Sequence, residues 1–280
     1  MRRDRQSVRQ SLRQSGAPWH FVVSFVVHFV AISLPLPALA ISPSPLATNS
    51  ANPALERFGR SVIFYVSFDG HANAEITAGD PAPQGNTNWT AAAKPGAVPY
   101  VPGVYGQGVR SRDNQLTFTC TGAVLRSAGS LALWLTPESL AHAGTYFWPV
   151  MLHAGGGYSV MAGRMGDPRN GETLYAYLSN GNGGVSACAG SMGEWKTNSW
   201  HLLVATWDRN GLDFSVDGAA TVHSSLKSPI AFDGAAGLRA ILLCPSDDTF
   251  VYDEFLVLDV PLSKPEIQWL YEQGMERLSK

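Results

Sequence analysis

Short apolar runs, separated by Gly, Asn and Asp, dominate the chain from Ser61 onward. In the first run Phe64 and Val66 alternate with Tyr65, and between Leu212 and Asp217 apolar residues alternate with Asp and Ser. A period of two places successive side chains on opposite faces of a strand. Because similar runs recur as far as residue 258 with turn residues between them, the pattern predicts an all-β antiparallel sandwich.

The end of the chain has a helical pattern instead. Ser263-Lys264-Pro265-Glu266 is typical of a capping box with Pro in the first turn. Ile267 and Leu270 then fall on one helix face. Gly274 stands where a helix stop is expected. The sequence therefore predicts one short C-terminal helix over about residues 264–273, and it gives no convincing helical period elsewhere.

The first forty residues have the pattern of an export signal. Five Arg residues precede an apolar run over 21–36, and the small-x-small triplet Ala38-Leu39-Ala40 follows. This order predicts a signal peptide over 1–40, then a flexible Ser/Pro/Ala/Asn-rich linker over 41–57. The apolar run is shorter than the ~20 residues that span a bilayer. We therefore expect a periplasmic, cell-surface or extracellular protein, and an uncleaved membrane anchor is the alternative.

Charge excludes one class of partner. Beyond Ala40 the chain has 15 basic and 21 acidic side chains, a net charge of −6. Nucleic-acid binding requires a basic face, so we expect no nucleic-acid partner. We expect membrane contact only if the leader stays uncleaved.

The three cysteines are Cys120, Cys188 and Cys244, and their wide spacing excludes Cys-x-x-Cys motifs. In an oxidising compartment two of them could pair. Three buried free thiols are the alternative, since free Cys is a common core residue. The sequence leaves both alternatives open.

Several segments together resemble a known family. They share their order with the laminin G-like, concanavalin A-like jelly-roll domains of secreted bacterial proteins, and they are Phe64–Gly70, Gly103–Arg110, Gly129–Leu135, Trp200–Asp208 and Tyr252–Leu258. The resemblance covers roughly residues 58–275. It implies a two-sheet jelly-roll sandwich over 58–280 but not a particular ligand, because one fold hosts many functions.

The family's fold is shared by glycosidases, so catalysis has to be considered. A retaining glycosidase needs two carboxyl groups about 5–5.5 Å apart. The spacing Glu-x-Asp-x-x-Glu, usual in sandwich glucanases, does not occur in the chain. Asp253 and Glu254 are adjacent, and a period of two would place them on opposite faces of a strand. We therefore predict that the protein is not an enzyme.

Asp253 is the acid that most needs an explanation. A period of two places it with Val251, Phe255 and Val257, which should face the core, and a buried carboxylate needs hydrogen-bond donors or a metal. Domains that resemble this one often bind a structural calcium through an Asp at the end of the first strand, which here is Asp69. The resemblance thus implies a calcium ion between Asp69 and Asp253. The alternative is that backbone amides of a neighbouring loop satisfy Asp253.

Aromatic residues outside clean strand positions are candidates for ligand contact. Flat aromatic faces stack on sugar rings, and we select Trp148 and Trp195 as ligand-binding candidates. Packing inside long loops is the alternative for both. The predicted function is an exported, non-catalytic module that binds a carbohydrate or another extracellular polymer. The alternatives are an envelope structural or adhesion protein that binds protein partners, and a divergent glycoside hydrolase.

Overall fold

The computed structural model describes residues 52–85, 99–110, 116–118, 127–139, 147–154, 158–167, 171–180, 183–226, 238–243 and 249–280. The predicted signal peptide, most of the predicted linker, Cys120 and Cys244 lie outside these residues. Cys188 is described as a free, exposed thiol, so the alternative of three buried cysteines is wrong for this residue. In the described part of the chain, no helix is long and apolar enough to cross a membrane.

Most of the described elements are β-strands. In chain order they are β1 (Val62–Val66), β2 (Gln84–Gly85), β3 (Tyr100–Pro102), β4 (Gln107–Arg110), β5 (Leu116–Phe118), β6 (Gly129–Pro137), β7 (Phe147–Ala154), β8 (Tyr158–Asp167), β9 (Gly171–Asn180), β10 (Gly184–Ser191), β11 (His201–Asp208), β12 (Gly211–Val216), β13 (Val222–Ser225), β14 (Leu238–Leu243) and β15 (Phe250–Leu258). The α-helices are α1 (Pro53–Phe58) and α2 (Lys264–Leu278), and 3₁₀ turns span Gly59–Ser61 and Met192–Glu194.

The strands form two antiparallel sheets. Sheet 1 has the spatial order β13-β12-β11-β6-β15-β4-β3, and β1 also pairs with β15. Sheet 2 has the order β10-β9-β8-β7-β14-β5-β2. Neighbours that are distant in sequence, such as β6 beside β11 and β15, are typical of a jelly roll. The predicted two-sheet antiparallel sandwich is thereby confirmed.

Two apolar clusters hold the domain together. The larger one lies between the sheets and includes Phe64, Phe214 and Phe255, each with no exposed surface. The second covers the outer face of sheet 1, where Trp134 packs with residues of α1 and α2. Both described α-helices therefore lie on the same side of the sandwich, and this side is opposite to sheet 2.

Helix α2 begins as predicted and ends later than predicted. The backbone N–H and the hydroxyl of Ser263 donate to Oε2 of Glu266 at 2.8 and 2.6 Å, which confirms the capping box. The prediction that Gly274 ends the helix is wrong, because α2 continues to Leu278. A Cβ at Gly274 would overlap the ring of Trp134, so this glycine permits close helix–sheet packing.

Helix α1 was not predicted, and it occupies the end of the predicted linker. Asn52 caps it, since Oδ1 of Asn52 accepts a hydrogen bond from the N–H of Ala54 at 2.8 Å. Ala54 and Leu55 are buried in the cluster on the outer face of sheet 1. The guanidinium of Arg57 lies 4.3 Å from the centre of the Trp269 ring of α2. Residues 53–58, most of which the sequence assigned to the linker, therefore form a helix that packs on the domain.

The last strand contains a β-bulge that overturns one sequence prediction. Asp253 pairs with Trp134, but the register with β6 shifts before Leu256, and Glu254 has a φ of 53°. A bulge adds a residue to one strand and reverses the side-chain alternation beyond it. Tyr252 and Phe255 consequently both face the core between the sheets. The prediction that Asp253 shares the core face with Val251 and Phe255 is therefore wrong.

Candidate functional site

Asp253 lies where β15 changes its neighbour. Upstream of it β15 pairs with β4, and downstream β15 pairs with β1. The turn between β3 and β4 fills the gap, and Oδ2 of Asp253 accepts hydrogen bonds from the N–H groups of Val104 at 2.7 Å and Tyr105 at 3.1 Å. Oδ1 accepts a third from the N–H of Glu254 at 3.0 Å. Burial raises the pKa of Asp253 well above its ordinary value, the charge of Glu254 raises it further, and the amides oppose the rise.

Asp69 approaches the same turn from the end of β1. Its Oδ1 accepts a hydrogen bond from the N–H of Gln107 at 2.7 Å, and a Cβ at Gly106 would overlap its carboxylate. The prediction placed Asp69 and Asp253 near each other, and the structure places both on the turn 103–107. The two carboxylates together fix the backbone of this turn, which begins the pairing of β4 with β15.

The surroundings of Asp253 fit the amide alternative better than a calcium ion. Three N–H groups point their positive ends at this carboxylate, whereas calcium takes six to eight oxygens. Among the described residues, no group of three or more acidic, His or Cys side chains converges on one point. Calcium at Asp69 and Asp253 stays a prediction, which elemental analysis of the purified protein tests. No part of the function proposed below depends on it.

Glu254 is buried beside the same bulge. Its Oε2 accepts hydrogen bonds from the hydroxyl of Tyr65 at 2.6 Å and from Nδ2 of Asn52. Burial raises the pKa of Glu254 to about 8; the hydrogen bonds from Tyr65 and Asn52 lower it, and the charges of Asp69 and Glu75 raise it. Glu254 thus links the cap of α1 to the last strand.

The acids Asp253 and Glu254 do not form a carbohydrate site in the described structure. Both acids are almost fully buried, and both lie among residues of the cluster on the outer face of sheet 1. The prediction that Asp253 and Glu254 point to opposite faces of the strand is therefore wrong. The cavity that Glu254 lines beneath α1 measures about 10 Å³, which is room for about one water molecule. A sugar ring does not fit there, so this acid pair does not support a glycosidase.

The two tryptophans selected from the sequence have different outcomes. Trp148 lies in β7, and its side chain is outside the described residues. Trp195 ends the 3₁₀ turn 192–194 and is only 9% exposed. Its ring stacks on His201 at 3.8 Å with 3° between the planes, and Nδ1 of His201 lies 2.7 Å from Oδ2 of Asp217. This arrangement favours the packing alternative, and a role of Trp195 in ligand binding stays a prediction.

The outer face of sheet 2 presents a different set of aromatic and polar residues. In β9, Leu174, Ala176 and Leu178 belong to the core, so the alternating Tyr175 and Tyr177 face outward. In the same way Met161 of β8 and Ser186 of β10 face outward. Met161 and Tyr177 are half-buried and Ser186 is exposed, whereas Met151 and Tyr175 are buried although they have the same outward alternation. Pairing aligns Met151, Met161, Tyr177 and Ser186 in one row across four strands.

The phenol end of Tyr177 lies over Gly184 of the neighbouring strand β10. A Cβ at Gly184 would stand 2.5 Å from Cζ and 2.5 Å from the hydroxyl oxygen of Tyr177, so the ring occupies the space that a side chain at Gly184 would take. Ser179, the cross-strand partner of Gly184, is half-buried and places a hydroxyl next to the ring. Tyr177 is half-buried, so part of its side chain is open to solvent. We call the partly or fully exposed residues Met161, Tyr177 and Ser186 the tyrosine face.

The pattern of short apolar runs does not single out this face. The sequence signal for this face lies in β9, where the aliphatic residues Leu174, Ala176 and Leu178 alternate with Tyr175 and Tyr177. Of the two outward tyrosines, Tyr177 is partly exposed and Tyr175 is buried, so only Tyr177 offers surface to a ligand.

The two antiparallel sheets and their strand order define a jelly-roll β-sandwich. A sequence model of the concanavalin A-like lectin/glucanases superfamily matches residues 110–268, which is more than half of the chain. The chain belongs to this superfamily, as its motifs implied. No curated protein matches the sequence.

Solved structures with the same fold include carbohydrate complexes. Domain 4 of AbnA, a GH43 extracellular arabinanase from Geobacillus stearothermophilus in complex with arabinotriose, aligns with a TM-score of 0.55 at 16% identity, over 75% of this chain and 98% of that domain. The ligand binding domain of botulinum neurotoxin serotype D in complex with N-acetylneuraminic acid aligns with a TM-score of 0.51 at 12% identity. The receptor binding domain of botulinum neurotoxin type G aligns with a TM-score of 0.53 at 13% identity.

These alignments differ in the share of each partner that they cover. The serotype D domain is matched over 78% of this chain and 52% of its own length, and the type G domain over 76% and 51%. The chain thus spans about half the length of the toxin domains. At these identities the likeness shows a shared fold.

Proposed function

We propose that this chain is an exported, non-catalytic carbohydrate-binding module whose ligand contacts the tyrosine face of sheet 2. The observation that carries the proposal is Tyr177, a half-buried aromatic residue at an outward position of β9 whose phenol end lies over Gly184. Sugar rings stack on aromatic rings held in this way, and hydroxyl groups beside the ring fix their orientation. The carbohydrate complexes of similar folds support the proposal.

The absence of catalysis is part of the proposal. The acid pair that the sequence offers is buried beneath α1 and α2. On the tyrosine face, the side chains that the structure describes are thioether, phenol and hydroxyl groups, none of which supplies the two carboxyl groups of a glycosidase. The tyrosine face also favours a glycan over a protein partner, since its apolar row is narrow and bordered by hydroxyl groups.

Replacing Tyr177 tests the proposed binding face. We expect Tyr177→Ala to weaken binding to a glycan identified on an array by about tenfold, because one stacking contact is lost. Tyr177→Phe keeps the ring and should retain most of the affinity. Val222→Ala, an exposed strand position on sheet 1, is the matched surface control and should bind like the unmodified protein. Affinity is measured by calorimetry, with circular dichroism to show that each variant is folded. Equal affinity of Tyr177→Ala and the unmodified protein would refute the tyrosine face.

Export is tested separately from binding. The leader predicts cleavage after Ala40, so N-terminal sequencing of protein secreted by a bacterial host should begin at Ile41. A protein that still begins at Met1 and fractionates with membranes contradicts cleavage and favours an uncleaved anchor.

A further inference from the structure

We propose that two copies of this chain associate side by side through strands β10 and β13 and form a twofold-symmetric dimer in which both sheets are continuous. The proposal concerns the edges of the sheets and does not depend on the proposed function. In the described part of the chain, β10 ends sheet 2 and β13 ends sheet 1, so each has a strand neighbour on one side only. An edge strand presents unpaired N–H and C=O groups to any strand that comes beside it.

Both of these edges lie on the same side of the sandwich. Strand β10 packs against β12 and β13, and β9 packs against β12. The two sheets therefore end together, one above the other, with β10 at the end of one sheet and β13 at the end of the other. We call the side of the sandwich that β10 and β13 form the open side.

The sequence of the open side lacks the residues that usually prevent strand pairing. Edge strands are normally protected by charged side chains, by Pro or by being very short. Strand β10 has eight residues, and neither β10 nor β13 contains Asp, Glu, Lys, Arg or Pro. The opposite ends of the two sheets are protected, because β3 has three residues and ends in Pro102, and β2 has two residues.

Apolar side chains between the two edges are partly exposed. Val222 is the cross-strand partner of Phe214, so its side chain lies on the core side of β13, yet it is 40% exposed. Val185 of β10 and Leu226 next to β13 pack against the same core and are only half-buried. The core between the sheets thus reaches the surface at the open side, and a partner that covers these side chains removes apolar surface from water.

A second copy fits the open side better than a single peptide strand. One extended peptide pairs with β10 or with β13 but not with both, whereas a second copy carries both edges at the same spacing. A twofold axis perpendicular to the sheets pairs each edge strand with its own copy, antiparallel, and closes both edges at once. The chain beyond Ala40 has a net charge of −6, so two copies repel each other, and contact through strands without acidic residues limits this cost.

This pairing places Cys188 close to the same residue of the second copy. Cross-strand partners lie on the same face of a sheet, and Ser186 and Cys188 are the exposed residues near the middle of β10. When the two β10 strands overlap fully, Cys188 pairs either with Ser186 or with Cys188 of the second copy. In both registers the two Cys188 residues are separated by at most about 8 Å. The same axis turns both tyrosine faces to one side of the dimer.

Analytical ultracentrifugation of the purified protein under reducing conditions tests the dimer. At micromolar concentration we expect twice the mass of one chain, with dissociation on dilution. The double variant Ser186→Lys, Cys188→Lys places like charges beside the axis in both copies, so its dimer dissociation constant should rise at least tenfold. The matched control, Gln268→Lys with Met275→Lys, adds the same charges at exposed positions of α2 and should remain a dimer. Circular dichroism shows whether each variant is folded.

Val222→Asp and cross-linking locate the interface. In Val222→Asp the new charge has to leave water when the dimer forms, so this variant should be folded and monomeric. A short bifunctional maleimide should join Cys188 to Cys188 of the second copy in the unmodified protein but not in Val222→Asp, as the mass of the cross-linked peptide shows. A protein that is monomeric at every concentration, or a dimer that the lysine pair leaves unchanged, overturns this inference. Neither result affects glycan binding by the tyrosine face.

Discussion

Glu254→Gln is expected to raise the melting temperature of the protein at pH 8 by roughly 10 °C. Glu254 is 3% exposed, and burial raises its pKa to about 8. At pH 8 the folded protein therefore holds a partly ionised carboxylate near the charges of Asp69 and Glu75. Glutamine has the same shape and no charge, and its carbonyl oxygen can accept both hydrogen bonds, from Tyr65 and Asn52.

The pH dependence of this effect has a definite sign. The pKa of Glu254 is about 8 in the folded protein against an ordinary value of 4.5, so the folded state holds the proton more tightly. The stability that this proton contributes is fully present below pH 4.5 and is lost as the pH rises through 8. Between pH 4.5 and pH 8 the free energy of unfolding falls by about 1.4 kcal/mol per pH unit, and the total loss is on the order of 4 kcal/mol. For a domain of this size that corresponds to roughly 10 °C.

Thermal unfolding at pH 5 and pH 8 checks this prediction. The two proteins should differ little at pH 5, where Glu254 is protonated, and most at pH 8. Glu276→Gln is the matched control, since Glu276 is exposed at the end of α2 and pairs with Lys280, and it should leave both melting temperatures nearly unchanged. If Glu254→Gln shifts the melting temperature equally at both pH values, Glu254 titrates as an ordinary surface acid.

Phe214→Asp is expected to unfold the domain. Phe214 has no exposed surface and lies in β12 within the core between the sheets. The substitution removes a buried aromatic side chain, which alone costs about 3–5 kcal/mol, and leaves an unpaired charge in an apolar environment. Together these costs are comparable with the whole stability of a typical domain, ~5–15 kcal/mol. Circular dichroism should show loss of the cooperative unfolding transition.

Val222→Asp is the matched control for Phe214→Asp. Val222 is the cross-strand partner of Phe214 on β13, but it is 40% exposed. The same charge on the adjacent strand therefore stays in water, and the variant should unfold cooperatively within a few degrees of the unmodified protein. A folded Phe214→Asp protein would contradict the core assignment of β12 and with it the register of β11, β12 and β13.

Local patterns predicted those parts of the fold in which neighbouring residues alone determine the conformation. The alternation in β1 placed Phe64 and Val66 on one face and Tyr65 on the other, and the structure shows the first pair in the core between the sheets and Tyr65 on the outer side. The capping box at Ser263 and Glu266 likewise depends only on residues within one turn. In both cases the residues that determine the conformation are the same neighbouring residues that form the sequence pattern.

Local sequence patterns did not predict features that depend on contacts between residues far apart in the chain. The bulge at Asp253 and Glu254 forms where the neighbour of β15 changes from β4 to β1, and a rule of strict alternation contains no information about that change. Helix α1 has six residues, too few to show a helical period, and it depends on packing against α2. Gly274 is required by the Trp134 ring of another element, which the helix sequence does not reveal.

The candidate site was predictable only in part. The pattern predicted that Asp253 is buried, and the structure supplies its donors from Val104 and Tyr105, about 150 positions earlier in the chain. The sequence predicted no role for Tyr177, because the alternation along β9 shows two faces but not what covers them. On the outer face of sheet 2 the structure leaves Tyr177 partly exposed and Tyr175 buried.

Placing α1 and α2 on one side of the sandwich has a practical consequence for how the module is displayed. The first described helix, α1, is capped by Asn52, and the last, α2, reaches Leu278; both helices pack on sheet 1. A linker, tag or fused domain attached at either end therefore leaves the molecule on the side away from Tyr177. Immobilised through either terminus, the protein should expose the tyrosine face to a polymer in solution, whereas coupling through Cys188, on sheet 2 itself, should block it.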